Sequence, residues 1–295
     1  MVGVSVIIPV YNRGKYIRKA IDSVLEQEFD GKVEVIVVDD GSTDDSIEIV
    51  NSYGDRIVFV QKPNYCQTQG AASARNRGIR IATQEFVSFL DSDDFYLPGF
   101  IKNMVEILKQ NEDYGFAFCR LNKIDENNLL SVWTRQKITK MDILYPFLFR
   151  SFGINTDTII LRRSVFDVIG FFREDLTNGE DGDLWMRISE HYRGIFLDME
   201  GAVYRYNHGA QLTKNEKMHV NSCAETIFIA ALERNLFKND RDDLRLLLIF
   251  RILFGIQLEE EGNFSKYSRL KTYYKLFMLY PGSFLKMLRL YLCRI

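Results

Sequence analysis

Cysteine is scarce and scattered along the chain. Four occur in 295 residues: Cys66, Cys119, Cys223 and Cys293. No two of them form a CxxC, and their spacing builds no disulfide framework, which fits a reduced, cytoplasmic compartment. Long apolar runs are also missing. The most apolar late stretch, residues 246–258, contains Arg251 and is too short to span a bilayer. At the start, Pro9, Asn12 and Arg13 interrupt the first apolar run early, unlike a secretory signal. No GxGxxG follows that run and no GxxxxGK occurs anywhere, so the dinucleotide-fingerprint and P-loop readings are weak. A large excess of one charge is absent as well. The net charge of −2 is not that of a protein that binds nucleic acid over its whole surface.

What is present is a sizeable apolar fraction, 46% of residues, enough for one large domain or a domain with an appendage. The charge is unevenly spread. Residues 262–295 hold seven Lys/Arg and no acid, so the rest of the chain carries −9. This tail is also rich in Leu, Phe and Tyr. It points to peripheral attachment to an anionic membrane, with a homo-oligomer interface as the competing explanation.

The first hundred residues alternate between two periodicities. Residues 4–10 are a nearly continuous apolar run, the pattern of a central parallel strand. Ile17, Ala20, Ile21, Val24 and Leu25 then follow helical spacing within residues 15–29. Strands are expected at 33–38, 57–60 and 86–90, and helices at 71–82, 98–109 and after a cap at Ser42 or Thr43. This predicts an α/β fold: a doubly wound, mostly parallel sheet flanked by helices. A hairpin is expected from 115–120 and 129–133, a helix at 141–149, and a strand at 157–161. Ser164 can cap a short helix to Ile169, and edge strands are expected at 195–197 and 203–206. From about residue 215 onward the chain reads as helices only.

In such sheets ligands sit beyond the carboxyl ends of the strands. Here those ends carry Asn12, then Asp39 and Asp40, then Asp91, Ser92, Asp93 and Asp94. Carboxylates packed this closely repel, and a divalent cation offsets the cost; hard oxygen ligands suit Mg²⁺ or Mn²⁺. In an extended segment Asp91 and Asp93 point the same way, with Ser92 opposite. The plainer alternative is an acidic turn that caps the helix after Pro98. A second acidic concentration, Glu180, Asp181 and Asp183, stands at a helix start. Helix-dipole complementarity alone accounts for some of it. Trp185 shares a helical face with Leu184 and Ile188 and reads as core. Trp133 and Tyr145 are weak candidates for stacking on a sugar, and His191 and His219 read as surface or packed residues.

Six segments in order resemble the inverting glycosyltransferases of family 2, with the GT-A fold. They are VSVIIPVYNR at 4–13, VVDDGSTDDS at 37–46, ARNRG at 74–78, FLDSDD at 89–94, EDGDLW at 180–185 and YRYNH at 204–208. The resemblance implies a catalytic domain over 1–214, with a nucleotide-binding half at 1–98 and an acceptor half at 99–214. A helical C-terminal region, 215–295, lies outside it. It also implies a nucleotide-sugar donor, most simply UDP-linked, a divalent cation, and a hydroxyl on a glycan or lipid-linked acceptor. By the same resemblance, Pro9, Tyr11 and Asn12 shape the loop beside the nucleotide. Asp40 binds the base, Arg75 contacts the nucleotide or diphosphate, and Asp91 contacts the ribose with Ser92 beside it. Asp93 is the metal ligand, Asp94 a weaker metal or sugar contact, and His208 helps hold the metal or diphosphate. Asp181 is the general base, with Glu180 and Asp183 next to it. A nucleotidyltransferase on a similar sheet, or a non-catalytic nucleotide-sugar binder, are the alternatives. The location implied is cytoplasmic, at the inner face of the cell membrane.

Overall fold

The computed structural model describes residues 2–62, 70–124, 130–132, 154–176 and 179–206. The apolar runs become the centre of one sheet. β1 (Gly3–Val10), β2 (Lys32–Asp39), β3 (Val58–Gln61) and β4 (Phe86–Phe89) lie in the order β3-β2-β1-β4, all parallel. Between them run α1 (Gly14–Leu25), α2 (Ser46–Asn51) and α3 (Ala71–Ile81). On β1, Val4, Val6, Ile8 and Val10 join the core built with Ile17, Ile21 and Val24 of α1. The opposite face meets α3. There Gly78 comes so close that an added Cβ would lie 2.4 Å from Ile7 Cγ2. A glycine at this point lets the helix approach the strand.

Pro9 sits inside a central strand, where a missing N–H normally costs a ladder bond. The register explains it. Ile7 O accepts from Leu90 and Val10 O accepts from Asp40, so odd residues of β1 face β4 and even ones face β2. The missing N–H falls just past the last paired residues of β1 and β4, Ile7 with Phe89.

The second half turns the sheet mixed. β8 (Ile159–Arg162) pairs antiparallel with β4, β6 (Tyr114–Ile124) antiparallel with β8, and β9 (Arg193–Arg205) parallel with β6. A two-residue strand, β5 (Phe95–Tyr96), closes the far side against β9, and β7 (Leu130–Val132) forms the expected hairpin with β6. Helix α4 (Phe100–Lys109) packs Phe100, Ile101, Met104, Val105 and Leu108 into the β1 core. Two further helices, α5 (Val165–Ile169) and α6 (Glu180–Ser189), complete the described part.

Several expectations are corrected. The segments expected as two edge strands at 195–197 and 203–206 are one strand, β9, which lies between β6 and β5. It runs through polar residues because bulges in its register with β6 absorb the mismatch. Helix α2 starts at Ser46, not after Ser42 or Thr43, and neither of those residues caps it. Residues 156–158 form a 3₁₀ turn before β8 rather than the start of a strand. Trp185 is core, as expected, at 1% exposure. Its ring packs on Phe89 and Phe172, and its indole N–H donates to Ile154 O at 3.1 Å. Cys119 is buried and free. The helix expected at 141–149, Trp133, Tyr145, His208, His219, the other cysteines and everything from 207 onward lie outside the described residues.

By compactness the chain divides into two units. One is Met1–Asp175 with Leu184–Lys214; the other is Leu176–Asp183 with Asn215–Ile295.

Candidate functional site

The carboxyl ends of β1, β2 and β4 meet, as the alternation of elements requires. The loop after β1 is stitched to the loop after β2 by Asn12. Its Oδ1 accepts the Thr43 N–H at 2.7 Å, and its own N–H donates to Ser42 Oγ at 3.0 Å. This is why Ser42 is not a helix cap. Asn12 stands at φ 52°, a left-handed conformation that Asn tolerates better than most residues. Tyr11 beside it is exposed, and Pro9 half-buried.

Asp39 and Asp40 divide into two roles. Asp39 is buried and folds the turn, accepting the N–H of Gly41 at 3.0 Å and of Ser42 at 3.1 Å. Asp40 is held from outside the turn. Its Oδ1 accepts from Arg77 at 2.8 Å and its Oδ2 from the Gly70 N–H at 2.7 Å.

The extended segment expected for Asp91 to Asp93 is corrected: after β4 the chain turns. Asp94 N–H donates back to Asp91 O at 3.0 Å, closing a tight turn. The alternation of burial survives in it: Ser92 and Asp94 are buried, Asp91 and Asp93 only partly. Each partly exposed acid is held by an arginine. Arg75 bonds Asp91 at 2.6 Å, and Arg13 Nε bonds Asp93 at 3.1 Å. With Arg77 on Asp40, three Asp–Arg pairs stand at the strand ends. Arg75 is only 4% exposed, with its guanidinium over the Phe172 ring. Its observed work is holding Asp91.

Sequence reasoning missed three residues here: Arg13, Arg77 and Asp157. Arg77 lies in the quoted ARNRG segment, two residues beyond Arg75. Asp157 had no local signal. It reaches the site because the β4–β8 register pairs 86 with 162, 87 with 161 and 88 with 160. Continued by three residues, that register sets 157 opposite 91. Asp157 is wholly buried, and its Oδ1 accepts the Asp91 N–H at 2.8 Å. Asp91, Asp94 and Asp157 each offer a carboxylate oxygen, all within 4.8 Å of one another.

Asp94, at 1% exposure, and Asp157 are both buried, with carboxylate oxygens within 4.8 Å of each other. Two carboxyl groups so placed share a bond only if one carries a proton. Burial first, then Asp157, pushes the Asp94 carboxyl well up from its ordinary range. Burial, then Asp91, pushes Asp157 up to about 8. Folded protein therefore holds more protons than unfolded chain between pH values of about 4 and about 8, and stability falls as pH rises through that window. In metal-free buffer the melting temperature is expected to drop from pH 5 to pH 8 (about these values). Asp157→Asn should flatten that slope; an unchanged slope in the variant would count against the shared proton.

Glu180, Asp181 and Asp183 all fall in the first turn of α6, as expected. Asp181 Oδ1 accepts the Gly182 N–H at 2.7 Å, and Asp183 is fully buried. Further along the helix, Arg187 donates to the carbonyls of Ile169 and Phe171, both at 2.8 Å, and so ties α6 to the end of α5.

This arrangement has known counterparts. The model of the family described as Glycosyl transferase family 2 matches residues 5–170. An uncharacterized glycosyltransferase of Rickettsia prowazekii is 37% identical over 71% of the chain, which spans 65% of that relative's length. The UDP-Glc:alpha-D-GlcNAc-diphosphoundecaprenol beta-1,3-glucosyltransferase WfaP of Escherichia coli is 31% identical, over 70% of this chain and 78% of that one. Among solved structures, S. aureus TarS in complex with UDP-GlcNAc superposes with a TM-score of 0.71 at 21% identity, covering 94% of this chain and 80% of that one. The class defined by the fold is a mixed, helix-flanked sheet with acids at the carboxyl ends of its parallel strands. The chain belongs to glycosyl transferase family 2.

Proposed function

We propose that this chain moves a sugar from a UDP-sugar to a hydroxyl of a glycan or lipid-linked acceptor, with inversion at the anomeric carbon. The observation that carries the reading is that Asp40, Asp91, Asp93 and Asp94 stand at strand ends on one edge of the sheet, the first three each paired with an arginine. Asp40 receives the base through an imide N–H of uracil, and Asp91 takes the ribose. That WfaP is named for a UDP-sugar donor and a lipid-linked acceptor supports the same choice here.

The residues fit a hard divalent cation. The acids of the 91–94 turn present only oxygen ligands. The buried Oδ2 atoms of Asp94 and Asp157 take no hydrogen bond from an N–H or hydroxyl among the described residues. Asp93 is the proposed ligand, with His208 as the second. A bound Mg²⁺ or Mn²⁺ would stabilise charge on the departing diphosphate. Arg13, Arg75 and Arg77 keep the acids oriented until the donor arrives. Asp181 accepts the proton of the acceptor hydroxyl as that oxygen attacks C1 from the face opposite the diphosphate. One displacement inverts the centre.

The 262–295 tail is proposed to rest on an anionic membrane, where a lipid-linked acceptor would lie. No helix among the described residues is long and apolar enough to cross a membrane.

The test is product analysis with UDP-sugars and Mn²⁺. Release of UDP that stops on chelation is the expected outcome. Pyrophosphate release from a nucleoside triphosphate would instead mark a nucleotidyltransferase, and binding without turnover a non-catalytic binder.

A further inference from the structure

We propose that Asp157 is a positioning residue for the donor site: it fixes the backbone of the 91–94 turn, whose exposed acids meet the nucleotide sugar. The inference rests on the glycosyl-transfer reading and extends it to a residue 66 positions away in the chain.

The need for such a residue follows from the sheet. At the end of β4, Leu90 N–H still finds Ile7 O on β1. The next N–H, that of Asp91, faces the other way, toward β8. Antiparallel pairing there stops at Ser88 with Ile160. Beyond it the chain before β8 bends into the 3₁₀ turn Thr156–Thr158, so the ladder offers no backbone carbonyl at that position. The Asp157 carboxylate replaces it, accepting the Asp91 N–H at 2.8 Å.

Asp157 is itself locked in place. Asn155 Oδ1 accepts the Asp157 N–H at 2.8 Å, and Asn155 O accepts both the N–H and the hydroxyl of Thr158, at 3.0 and 2.9 Å. The other end of the 91–94 turn is tied to the same group. The Asp94 carboxyl lies beside that of Asp157, their oxygens within 4.8 Å, and takes the Arg205 N–H on Oδ1 at 2.7 Å. One buried side chain thus holds the first residue of the turn and stands against the last. Asp93 lies between those two residues. A shift of a fraction of an ångström in this turn moves the donor contacts and costs rate and affinity.

The test compares Asp157→Ala with Asp157→Asn in the full chain. Asparagine keeps an acceptor for Asp91 N–H and offers Asp94 an N–H donor; alanine keeps neither. Asp157→Ala is expected to raise the donor KM and the half-saturating Mn²⁺ concentration about 10–100-fold, the usual cost of losing an outer partner of a metal site. Its acceptor KM should stay unchanged, and Asp157→Asn should return the donor values to within about threefold of the native protein. If the alanine chain does not fold, Asp157→Ser takes its place, since serine is too short to reach Asp91. Variants with native donor and Mn²⁺ constants, or alanine and asparagine variants impaired alike, would overturn the proposal while leaving the transfer reading intact. A purely structural role would lower the amount of active protein, and with it kcat, at constant donor KM; that result also overturns it. A native chain that binds no UDP with Mn²⁺ would overturn both.

Discussion

Asp181→Asn is expected to lower turnover by about 10²–10⁴-fold while leaving UDP binding close to native, the range for loss of a positioned general base. Asparagine has nearly the same shape and can still accept the Gly182 N–H that Asp181 Oδ1 now takes. What it cannot do is take a proton. The acceptor hydroxyl is a weak nucleophile until it loses one, so the barrier rises in the chemical step and not in donor binding. Steady-state kinetics with a calorimetric UDP titration separate the two steps. Near-native turnover in a folded Asp181→Asn protein would remove Asp181 as the base.

The fold was legible in the sequence where the pattern is local. Residues 4–10 and 33–38 read as buried strands because nearly every position is apolar, and both strands are found. The spacing of Ile17, Ile21 and Val24 described α1 well, because one stripe faces the core. That β2 and β4 end at one edge of the sheet was readable too, since parallel strands with helical crossovers bring their carboxyl ends together.

What was not legible depends on pairings between distant segments. Asp157 looked like an ordinary strand start, and only the antiparallel β4–β8 register carries it to Asp91. β9 looked like two short strands because Asp198 and Glu200 interrupt its apolar pattern. In the structure Asn122 donates to Glu200 at 2.7 Å and Arg120 is ion-paired to Asp198, so β6 supports the polar stretch. The late start of α2 had a similar cause. Ser42 looked like a cap, but its hydroxyl accepts from Asn12, 30 residues earlier. Arg77 was passed over for Arg75, since nothing in ARNRG says which arginine turns to Asp40 and which to Asp91.

Asp93→Asn carries the second large effect, a loss of about 10²–10³-fold in turnover, the scale for removing one preorganised stabiliser of a developing charge. In the present structure Asp93 is paired with Arg13, both side chains about 15% exposed. On the proposed reading this carboxylate would hold the cation in place of its guanidinium partner, and Arg13 would be released toward the diphosphate. Asparagine keeps the size but loses the charge that holds either partner, so the requirement for Mn²⁺ should become both weaker and less specific.

Binding isolates that claim from the rest of the reaction. Calorimetric titration of UDP into the native chain and into Asp93→Asn, each with Mn²⁺ and with chelator, is the most direct measurement. Native protein should bind UDP tightly with Mn²⁺ and at least about tenfold more weakly without it, and the variant should bind weakly in both buffers. Equal affinity in all four titrations would show that the acids at these strand ends do not gather around a cation-bridged diphosphate.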